Sequence, residues 1–246
     1  MIEKTFETPG PLTLDLSVPQ GTIDVENVDG QQTHVELDCD DKKALADARV
    51  ELRERPGGGD EVVVEVERRR GLLGGMINIS IGDIHIGGRE WRLRVTCPPG
   101  AELKTSTASA NLTARGRYSA ADVKTASGDV TIDEVGGDAR IKSVSGDVAI
   151  ELVGDDLDLK TVSGDVEIGR VGGKTAARTV SGDLRLRDAE SSVTANSVSG
   201  DVRLQVASGD VGLTSVSGDM EVAIRRGSRV YIDANSVSGD FRVVRA

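Results

Sequence analysis

Residues 146–172 read GDVAIELVG, DDLDLKTVS and GDVEIGRVG, which are three nine-residue units of one pattern. Two units make a repeat of 18 residues, because Ser-Gly-Asp triplets recur at that interval. Their aspartates are Asp129, Asp147, Asp165, Asp183, Asp201 and Asp219. Asn111 extends the series back by one step, and Asp240 closes it after a three-residue insertion. A fixed period of this kind is typical of architectures in which each repeat packs only on its neighbours.

Apolar residues occupy positions 0, 2 and 5 of each nine-residue unit. The examples are Val148, Ile150 and Val153, then Leu157, Leu159 and Val162, then Val166, Ile168 and Val171. A spacing of two is strand alternation and a step of three is a bend or bulge, whereas a helix needs spacings of three and four. The pattern predicts an all-β parallel β-solenoid with 18-residue rungs, each made of two nine-residue halves in a flattened, two-sided coil. Seven or eight rungs stacked at about 4.8 Å give a rod about 35 Å long.

Stacking equivalent residues predicts side-chain ladders along the rod. We expect two apolar ladders to face inward and a hydroxyl ladder to accompany them. The first apolar ladder is Ala126, Val144, Val162, Val180, Val198, Val216 and Val237, and the second is Ile132, Ile150, Ile168, Leu186, Leu204, Val222 and Val243. The hydroxyl ladder is Thr125, Ser143, Thr161, Thr179, Ser197, Ser215 and Ser236. Tyr231 and Phe241, in the last rung, are expected to plug the end of the core. The alternation of Val180, Gly182, Leu184 and Leu186 leaves open whether Ser-Gly-Asp lies within a strand or at a corner.

The chain divides into a β-rich N-terminal region at 1–104 and regular solenoid repeats at 105–246. Alternating segments predict strands near 11–17, 22–27, 33–39, 49–54, 61–67 and 91–97. A short helix is expected near 41–48 with Asp40 as its cap. The segment GTIDVEN at 21–27 echoes the repeat, so this region is expected to supply the first, irregular coils.

The segment 68–88, RRRGLLGGMINISIGDIHIGG, combines three arginines with recurring isoleucines. One interpretation is a hairpin that turns at Gly82-Asp83 and covers the open end of the solenoid. The other is a contact with a partner or a membrane surface. Its candidate residues are Arg68, Arg69, Arg70, Leu72, Leu73, Ile77 and Ile79.

Composition excludes several classes of protein. The net charge is −11, so nucleic acid is not an expected partner. Neither a secretory signal nor an apolar stretch long enough to span a bilayer is visible, so the sequence as written predicts a soluble, cytoplasmic protein, with envelope association only through a partner. Cys39 and Cys97 end the apolar faces of their strands, which favours buried free thiols over a disulfide or a redox role.

The sequence contains no catalytic or cofactor motif that we can identify, so no enzyme activity and no cofactor are expected. Both histidines lack neighbours at metal-ligand spacing. The aspartate ladder has two interpretations. Its carboxylates accept hydrogen bonds from turn amides, or the same six residues, Asp129, Asp147, Asp165, Asp183, Asp201 and Asp219, bridge calcium between rungs. A partial cationic ladder of Lys124, Lys142, Lys160 and Arg178 is expected to neutralise the acidic one.

The repeated Val144-Ser145-Gly146-Asp147 and Val162-Ser163-Gly164-Asp165, after a β-rich segment ending in PPGAELKTSTASANL at 98–112, resemble the bacterial "putative adhesin" family of β-strand-repeat proteins. The resemblance implies a β-helix, a cell-envelope or adhesion context, and no established catalytic residues. We therefore expect a non-catalytic, adhesin-like interaction or scaffolding protein. Its partner would be a protein or a glycan, and self-association through the solenoid ends or the 68–88 hairpin is a further expectation. The alternatives are a calcium-binding module of the β-roll type and a polysaccharide-active β-helix enzyme.

Overall fold

A computed structural model describes residues 1–55, 58–66 and 90–245. In this part of the chain the protein is a parallel β-solenoid of about eight coils that follows an irregular β-rich N-terminal region, which confirms the predicted fold class. The N-terminal strands are β1 Ile2–Glu7, β2 Leu12–Asn27, β3 Gln32–Cys39, β4 Arg49–Glu54, β5 Asp60–Glu65 and β6 Trp91–Cys97. The helix α1 spans Lys42–Asp47.

The regular coils contain two strands each, and each strand pairs in parallel with the strand one coil away. The long strand β7, Glu102–Tyr118, begins this series. One stack continues with β8 Ala120–Thr125, β10 Ala139–Ser143, β12 Leu157–Lys160, β14 Thr175–Ser181, β16 Val193–Ser199, β18 Val211–Ser217 and β20 Ile232–Ser238. The other continues with β9 Val130–Val135, β11 Val148–Val153, β13 Val166–Val171, β15 Leu184–Ala189, β17 Val202–Ala207, β19 Met220–Ile224 and β21 Phe241–Arg245. We call them the even stack and the odd stack.

The Ser-Gly-Asp triplet lies at the corner between the two stacks, which resolves the alternative left open by the sequence. Strand β14 ends at Ser181 and β15 begins at Leu184, so Gly182-Asp183 makes the corner. Gly182 has φ +120°, and a Cβ on it would lie 2.3 Å from the carbonyl oxygen of Gly164 in the coil before. Glycine recurs here because the backbone is left-handed and the coils approach too closely for a side chain.

The core is a narrow double row of aliphatic side chains. The predicted ladder from Ile132 to Val222 is buried throughout, and only its last member, Val243, is exposed. The prediction that the valine ladder faces inward is wrong, because Val162, Val180, Val198 and Val216 are each 46–47% exposed. The hydroxyl residues directly before them are buried instead, from Thr125 to Ser215. In the even stack the strict alternation of Leu157 and Leu159 continues to Thr161, so valine faces outward and the expected step of three does not occur in this half of the repeat.

The N-terminal region starts the coil and then departs from it. Strand β2 spans the two segments expected at 11–17 and 22–27, bends at Gly21, and pairs in parallel with β7. Beyond β2, the even stack continues with β5, which is parallel to β2, and ends at β4, which is antiparallel to β5. The odd stack continues with β6, which is parallel to β2, and then with β3 and β1, each antiparallel to the strand before it. The sequence did not predict β1. The helix cap is Asp41 and not Asp40, because the helix begins one residue later and Asp41 Oδ1 accepts hydrogen bonds from the amides of Lys43 and Ala44.

The expectation for the aromatic residues of the last coil is wrong for Tyr231, which is 71% exposed and does not plug the core. Phe241 stacks in register on Met220 but stays 42% exposed. Among the described residues, the coil that contains Tyr231 and Phe241 pairs with a neighbouring coil on one side, which accounts for their exposure.

Both cysteines are buried and unbridged, as expected. Cys39 lies opposite Trp91, whereas Cys97 lies six residues further along β6. Six residues of strand span about 20 Å, and a disulfide requires Cα atoms within about 7 Å. The two thiols therefore cannot pair in this fold. Burial raises the pKa of Cys97 to about 11, so the thiol is a packed core group and not a nucleophile.

Candidate functional site

The corner motif is a hydroxyl residue followed by Val-Ser-Gly-Asp, and its positions have different structural roles. The hydroxyl faces inward and bonds the corner backbone. Thr125 Oγ1 accepts from the Gly128 amide at 2.9 Å, and Ser143 and Ser197 donate to the carbonyl oxygens of Gly146 and Gly200 at 3.4 and 3.3 Å. Such bonds account for the inward hydroxyl at these corners, whereas the buried hydroxyls of Thr179 and Ser215 have no hydrogen-bond partner among the described groups. The next side chain, the valine, lies outside.

The aspartate of each corner ties its coil to the next one. Its Oδ1 atom accepts a hydrogen bond from the backbone amide of the aspartate one repeat later. The bonds run Asn111 to Asp129 at 3.0 Å, Asp129 to Asp147 at 3.0 Å, Asp147 to Asp165 at 2.8 Å, Asp165 to Asp183 at 2.9 Å, Asp183 to Asp201 at 3.0 Å, Asp201 to Asp219 at 2.9 Å, and Asp219 to Asp240 at 2.9 Å. A bond from an amide to a charged acceptor is stronger than one between neutral groups, which offsets the repulsion between stacked carboxylates.

The opposite corner uses the same bond where it has an aspartate. Asp138 accepts from the Asp156 amide at 3.2 Å, Asp156 from the Lys174 amide at 2.7 Å, and Asp210 from the Tyr231 amide at 3.1 Å. Three aspartates of the first corner also form ion pairs through Oδ2, with Arg185 to Asp183 at 2.8 Å, Arg203 to Asp201 at 2.7 Å and Arg185 to Asp165 at 3.9 Å. The ladder is thus engaged by amides and arginines of the chain itself.

These hydrogen bonds are the ones that the turn-amide interpretation of the aspartate ladder predicts. Across residues 1–55, 58–66 and 90–245, no group of three or more His, Cys, Asp or Glu side chains could hold a metal ion. The predicted cationic ladder is in register, since Lys124, Lys142, Lys160 and Arg178 lie opposite one another. It faces out of the even stack. There Lys124 pairs with Asp122 and Lys160 pairs with Asp158, each at 3.5 Å, and these partners are not the corner aspartates.

The valine of the motif is turned away from the core. We call Val162, Val180, Val198, Val216 and Val237 the valine ladder. The first four are 46–47% exposed and the last is 83% exposed. They stack in one line, because Thr179, Ser197 and Ser215 and the residues around them pair in register from coil to coil. The exposed Ser181, Ser199, Ser217 and Ser238 follow the valines at the corner.

The surface beside the valine ladder changes along the rod. In the early coils of the even stack the outward residues are charged, as in Arg140 and Lys142. In β16, β18 and β20 they are mostly small or neutral, namely Thr194, Asn196, Gly212, Thr214, Asp233 and Asn235. We call these later outward residues, together with the valine ladder, the valine face. It combines the valines with small and neutral polar side chains and includes one charged residue, Asp233, on a molecule of net charge −11.

The odd stack has a shallow groove lined by Glu151, Leu152, Gly169, Arg170, Arg187 and Asp188. Gly169 leaves a gap in its ladder, and Arg187 reaches across it to Glu151 at 2.5 Å. Asp188 is bound by Arg225 at 2.7 Å and by Arg170 at 3.5 Å. Each carboxylate of the groove is occupied by an arginine, so this is an ion-pair network of the sheet surface.

The sequence-predicted interaction residues Arg68, Arg69, Arg70, Leu72, Leu73, Ile77 and Ile79 lie outside the described residues, as does the expected turn at Gly82-Asp83. His34 is described, and it bonds Thr5 at 2.9 Å and Glu36 at 3.3 Å on the outer surface of β3. In the part of the chain that the structure describes, no helix is both long and apolar enough to cross a membrane.

The fold and its ladders define a repeat-built β-solenoid whose carboxylates and glycines serve the coil and whose valines face outward. The chain belongs to the Toastrack DUF4097 family, whose model matches residues 12–180 and again 152–245. The double match agrees with the internal repetition of the coils. No curated protein matches the chain.

Three solved structures are similar to this chain at low identity. A "putative adhesin" from Bacteroides fragilis NCTC 9343 is 12% identical, with 100% of this chain and 96% of that chain covered and a TM-score of 0.48. A second, from Parabacteroides distasonis ATCC 8503, is 9% identical, with 98% and 96% covered and a TM-score of 0.48. A "putative cell adhesion protein" from Clostridium sporogenes ATCC 15579 is 10% identical, with 100% and 99% covered and a TM-score of 0.32.

Proposed function

We propose that this protein is a non-catalytic, adhesin-like interaction module that binds a partner through its valine face, in association with the cell envelope. The observation that supports the proposal is the exposed valine ladder. The hydroxyl, the glycine and the aspartate of the motif each serve the coil, but the valine is repeated without such a task. Strand propensity alone would accept threonine at this position equally well.

The chemistry of the valine face favours a protein partner over a glycan. Sugar rings typically stack on aromatic side chains, and this chain has no Phe, Tyr or Trp between Tyr118 and Tyr231. Aligned aliphatic side chains beside hydroxyl and amide groups instead suit a flat protein surface, because apolar area removed from water drives association. The partner is therefore expected to present an apolar strip of similar length.

The alternatives have weaker support in the geometry. For calcium, the corner carboxylates already accept amide hydrogen bonds. For a polysaccharide-active enzyme, the carboxylates of the groove at Glu151 and Asp188 are held by arginines. A contact through the 68–88 segment stays a prediction, because that segment lies outside the described residues.

The first prediction concerns binding at the valine face. A photo-reactive label at V198C would be cross-linked to envelope proteins of the bacterium that makes this protein, and the captured partner would be purified for titration. The double variant V180K/V198K is expected to weaken the binding of that partner at least tenfold, since two charges would be buried in an apolar contact. The measurement is the dissociation constant by calorimetry.

The matched control is T131K/A149K, which adds two lysines at exposed positions on the odd stack and should leave the affinity unchanged. Both variants must keep the wild-type circular dichroism spectrum. Equal affinity for V180K/V198K and the wild type would contradict the proposed face. Binding on a glycan array, or release of sugar from an envelope polysaccharide, would overturn the choice of a protein partner or the non-catalytic role.

A further inference from the structure

The cationic ladder lies directly beside the valine ladder on the outer surface of the even stack. Side chains alternate between the two faces of a strand, so the outward residue two positions before each valine is its neighbour on the same surface. Lys160 stands in this place beside Val162, and Arg178 stands beside Val180. A line of positive charge and a line of apolar side chains therefore run next to each other over these coils.

The part of the even stack that carries the cationic ladder is basic, although the chain is acidic. The charged residues of β8, β10, β12 and β14 are five cations and two carboxylates, a balance of +3, whereas the whole chain has a net charge of −11. They are Lys124, Arg140, Lys142, Lys160 and Arg178, with Asp122 and Asp158. A local basic surface on an acidic molecule directs an anionic partner to that surface, because the partner is repelled elsewhere.

Two members of the cationic ladder have no acidic neighbour. Lys124 and Lys160 each pair with an aspartate of the same strand. In the part of the chain that the structure describes, no carboxylate lies within ion-pair distance of Lys142 or Arg178. The parallel register places Lys142 between Lys124 and Lys160, and Arg178 opposite Lys160, and like charges directly opposite one another repel. Carboxylates from a partner would relieve this repulsion.

A protein surface matches both ladders better than a polyanion does. Nucleic acid binding draws its affinity from many phosphate contacts, and five cations on an acidic molecule offer few of them. An anionic polysaccharide would leave the valines without apolar contact. Asp and Glu side chains beside aliphatic ones, which are common on protein surfaces, meet the cations and the valines together. Lys142 and Arg178 are two coils apart, which is about 10 Å at about 4.8 Å per coil.

We propose that the partner of the valine face is an acidic protein. Its carboxylates pair with Lys142 and Arg178, and its apolar strip packs on the valines beside them. This inference rests on the proposed function and adds the charge of the partner to it. The apolar contact supplies affinity, whereas the ion pairs orient the partner and speed its association. Arg178 presents a planar guanidinium that binds a carboxylate through two parallel hydrogen bonds.

The second prediction is tested with the partner captured through V198C, by surface plasmon resonance. At about 50 mM salt, K142E/R178E should bind it at least tenfold more weakly than the wild type, chiefly through slower association. At about 500 mM salt most of this difference should disappear, because the charges are screened. The matched control is K42E/K43E, which makes the same change of net charge on helix α1 and should bind normally. Both variants must keep the wild-type circular dichroism spectrum.

Poly-L-glutamate is a second probe, since it carries carboxylates without an apolar strip. Measured by fluorescence anisotropy at low salt, it should bind the wild type and K42E/K43E saturably and K142E/R178E at least fivefold more weakly. V180K/V198K should bind it no more weakly than the wild type. Duplex DNA and an anionic polysaccharide serve as comparison ligands, and tighter binding of either one would overturn the choice of an acidic protein.

The two proposals fail in different ways. Full affinity of K142E/R178E for the captured partner, together with weakened binding by V180K/V198K, would overturn the acidic partner and leave the valine face standing. Full affinity of V180K/V198K for the partner would overturn the valine face. The poly-L-glutamate titration then tests the cationic ladder by itself, and equal binding by K142E/R178E and the wild type would overturn its role.

Discussion

The glycine of each corner shows how closely the coils approach one another. Gly164, Gly182, Gly200, Gly218 and Gly239 all have φ between +112° and +130°. A Cβ at any of them would lie 2.2–2.5 Å from the carbonyl oxygen of the corner glycine one coil earlier. Two constraints, the left-handed backbone and the contact between coils, therefore act on these five glycines, whereas at Gly128 and Gly146 only the contact between coils applies.

The third prediction follows from this contact. Gly182→Ala should lower the free energy of unfolding by about 1–3 kcal/mol, because it adds strain at a left-handed residue and a clash with backbone that cannot move alone. Gly212→Ala is the control, since no atom lies nearer than 4.0 Å to its Cβ position and its φ is not in the left-handed region. It should be neutral or slightly stabilising. Urea unfolding of both variants measures the difference, and equal stability would contradict the role assigned to the corner.

The strands of the even stack show why hydrophobicity alone does not predict which side chains are buried. Its strands end in a hydroxyl residue and a valine, and hydrophobicity favours the valine as the buried one. The structure buries the hydroxyl instead, and at four of the six buried positions, Thr125, Ser143, Thr161 and Ser197, it bonds the corner backbone, as from Thr161 Oγ1 to the Ser163 carbonyl at 3.1 Å. Burying this hydroxyl costs little because its partner lies within the same corner.

The fourth prediction compares two hydroxyls of this ladder. Thr161 makes that bond, whereas the buried Thr179 Oγ1 has no hydrogen-bond partner among the described groups. Thr161→Val should cost about 1 kcal/mol of stability, because it leaves the corner carbonyl without its donor. Thr179→Val should be neutral or stabilising, since it replaces an unsatisfied hydroxyl with a methyl group of the same shape. Thermal unfolding checks the order, and a larger loss for Thr179→Val would contradict this account of the corner.

The sequence predicted the elements that depend on period and alternation, and missed those that depend on hydrogen bonds or on missing neighbours. The 18-residue recurrence of Ser-Gly-Asp was enough to predict the parallel solenoid, its two strands per coil and the buried ladder at Ile150. The orientation of Val162 could not be predicted, because it depends on how Thr161 bonds a corner whose location was open. The exposure of Tyr231 depends on a coil end that a periodic pattern does not describe. Strand β1 lacks regular alternation and was not predicted.

The described part of the molecule is a rod with a line of exposed valines along one side. Its net charge is −11, and the valine face includes one charged residue, Asp233. Regular coils make the position of each valine predictable from the one before it. The central claim is therefore that valines from successive repeats form one exposed line along a parallel solenoid.

The fifth prediction measures that line directly, by electron spin resonance distances in the double variant V162C/V237C carrying spin labels. Both sites should react in the folded protein, whereas the buried Cys39 and Cys97 of the unsubstituted protein should not. Dilution with unlabelled protein removes distances between molecules. Four coils separate the two sites, so the expected distance is about 19 Å at about 4.8 Å per coil. Failure of either valine site to react in the folded protein, or a distance beyond about 30 Å, would contradict the exposed ladder and the parallel stacking that produces it.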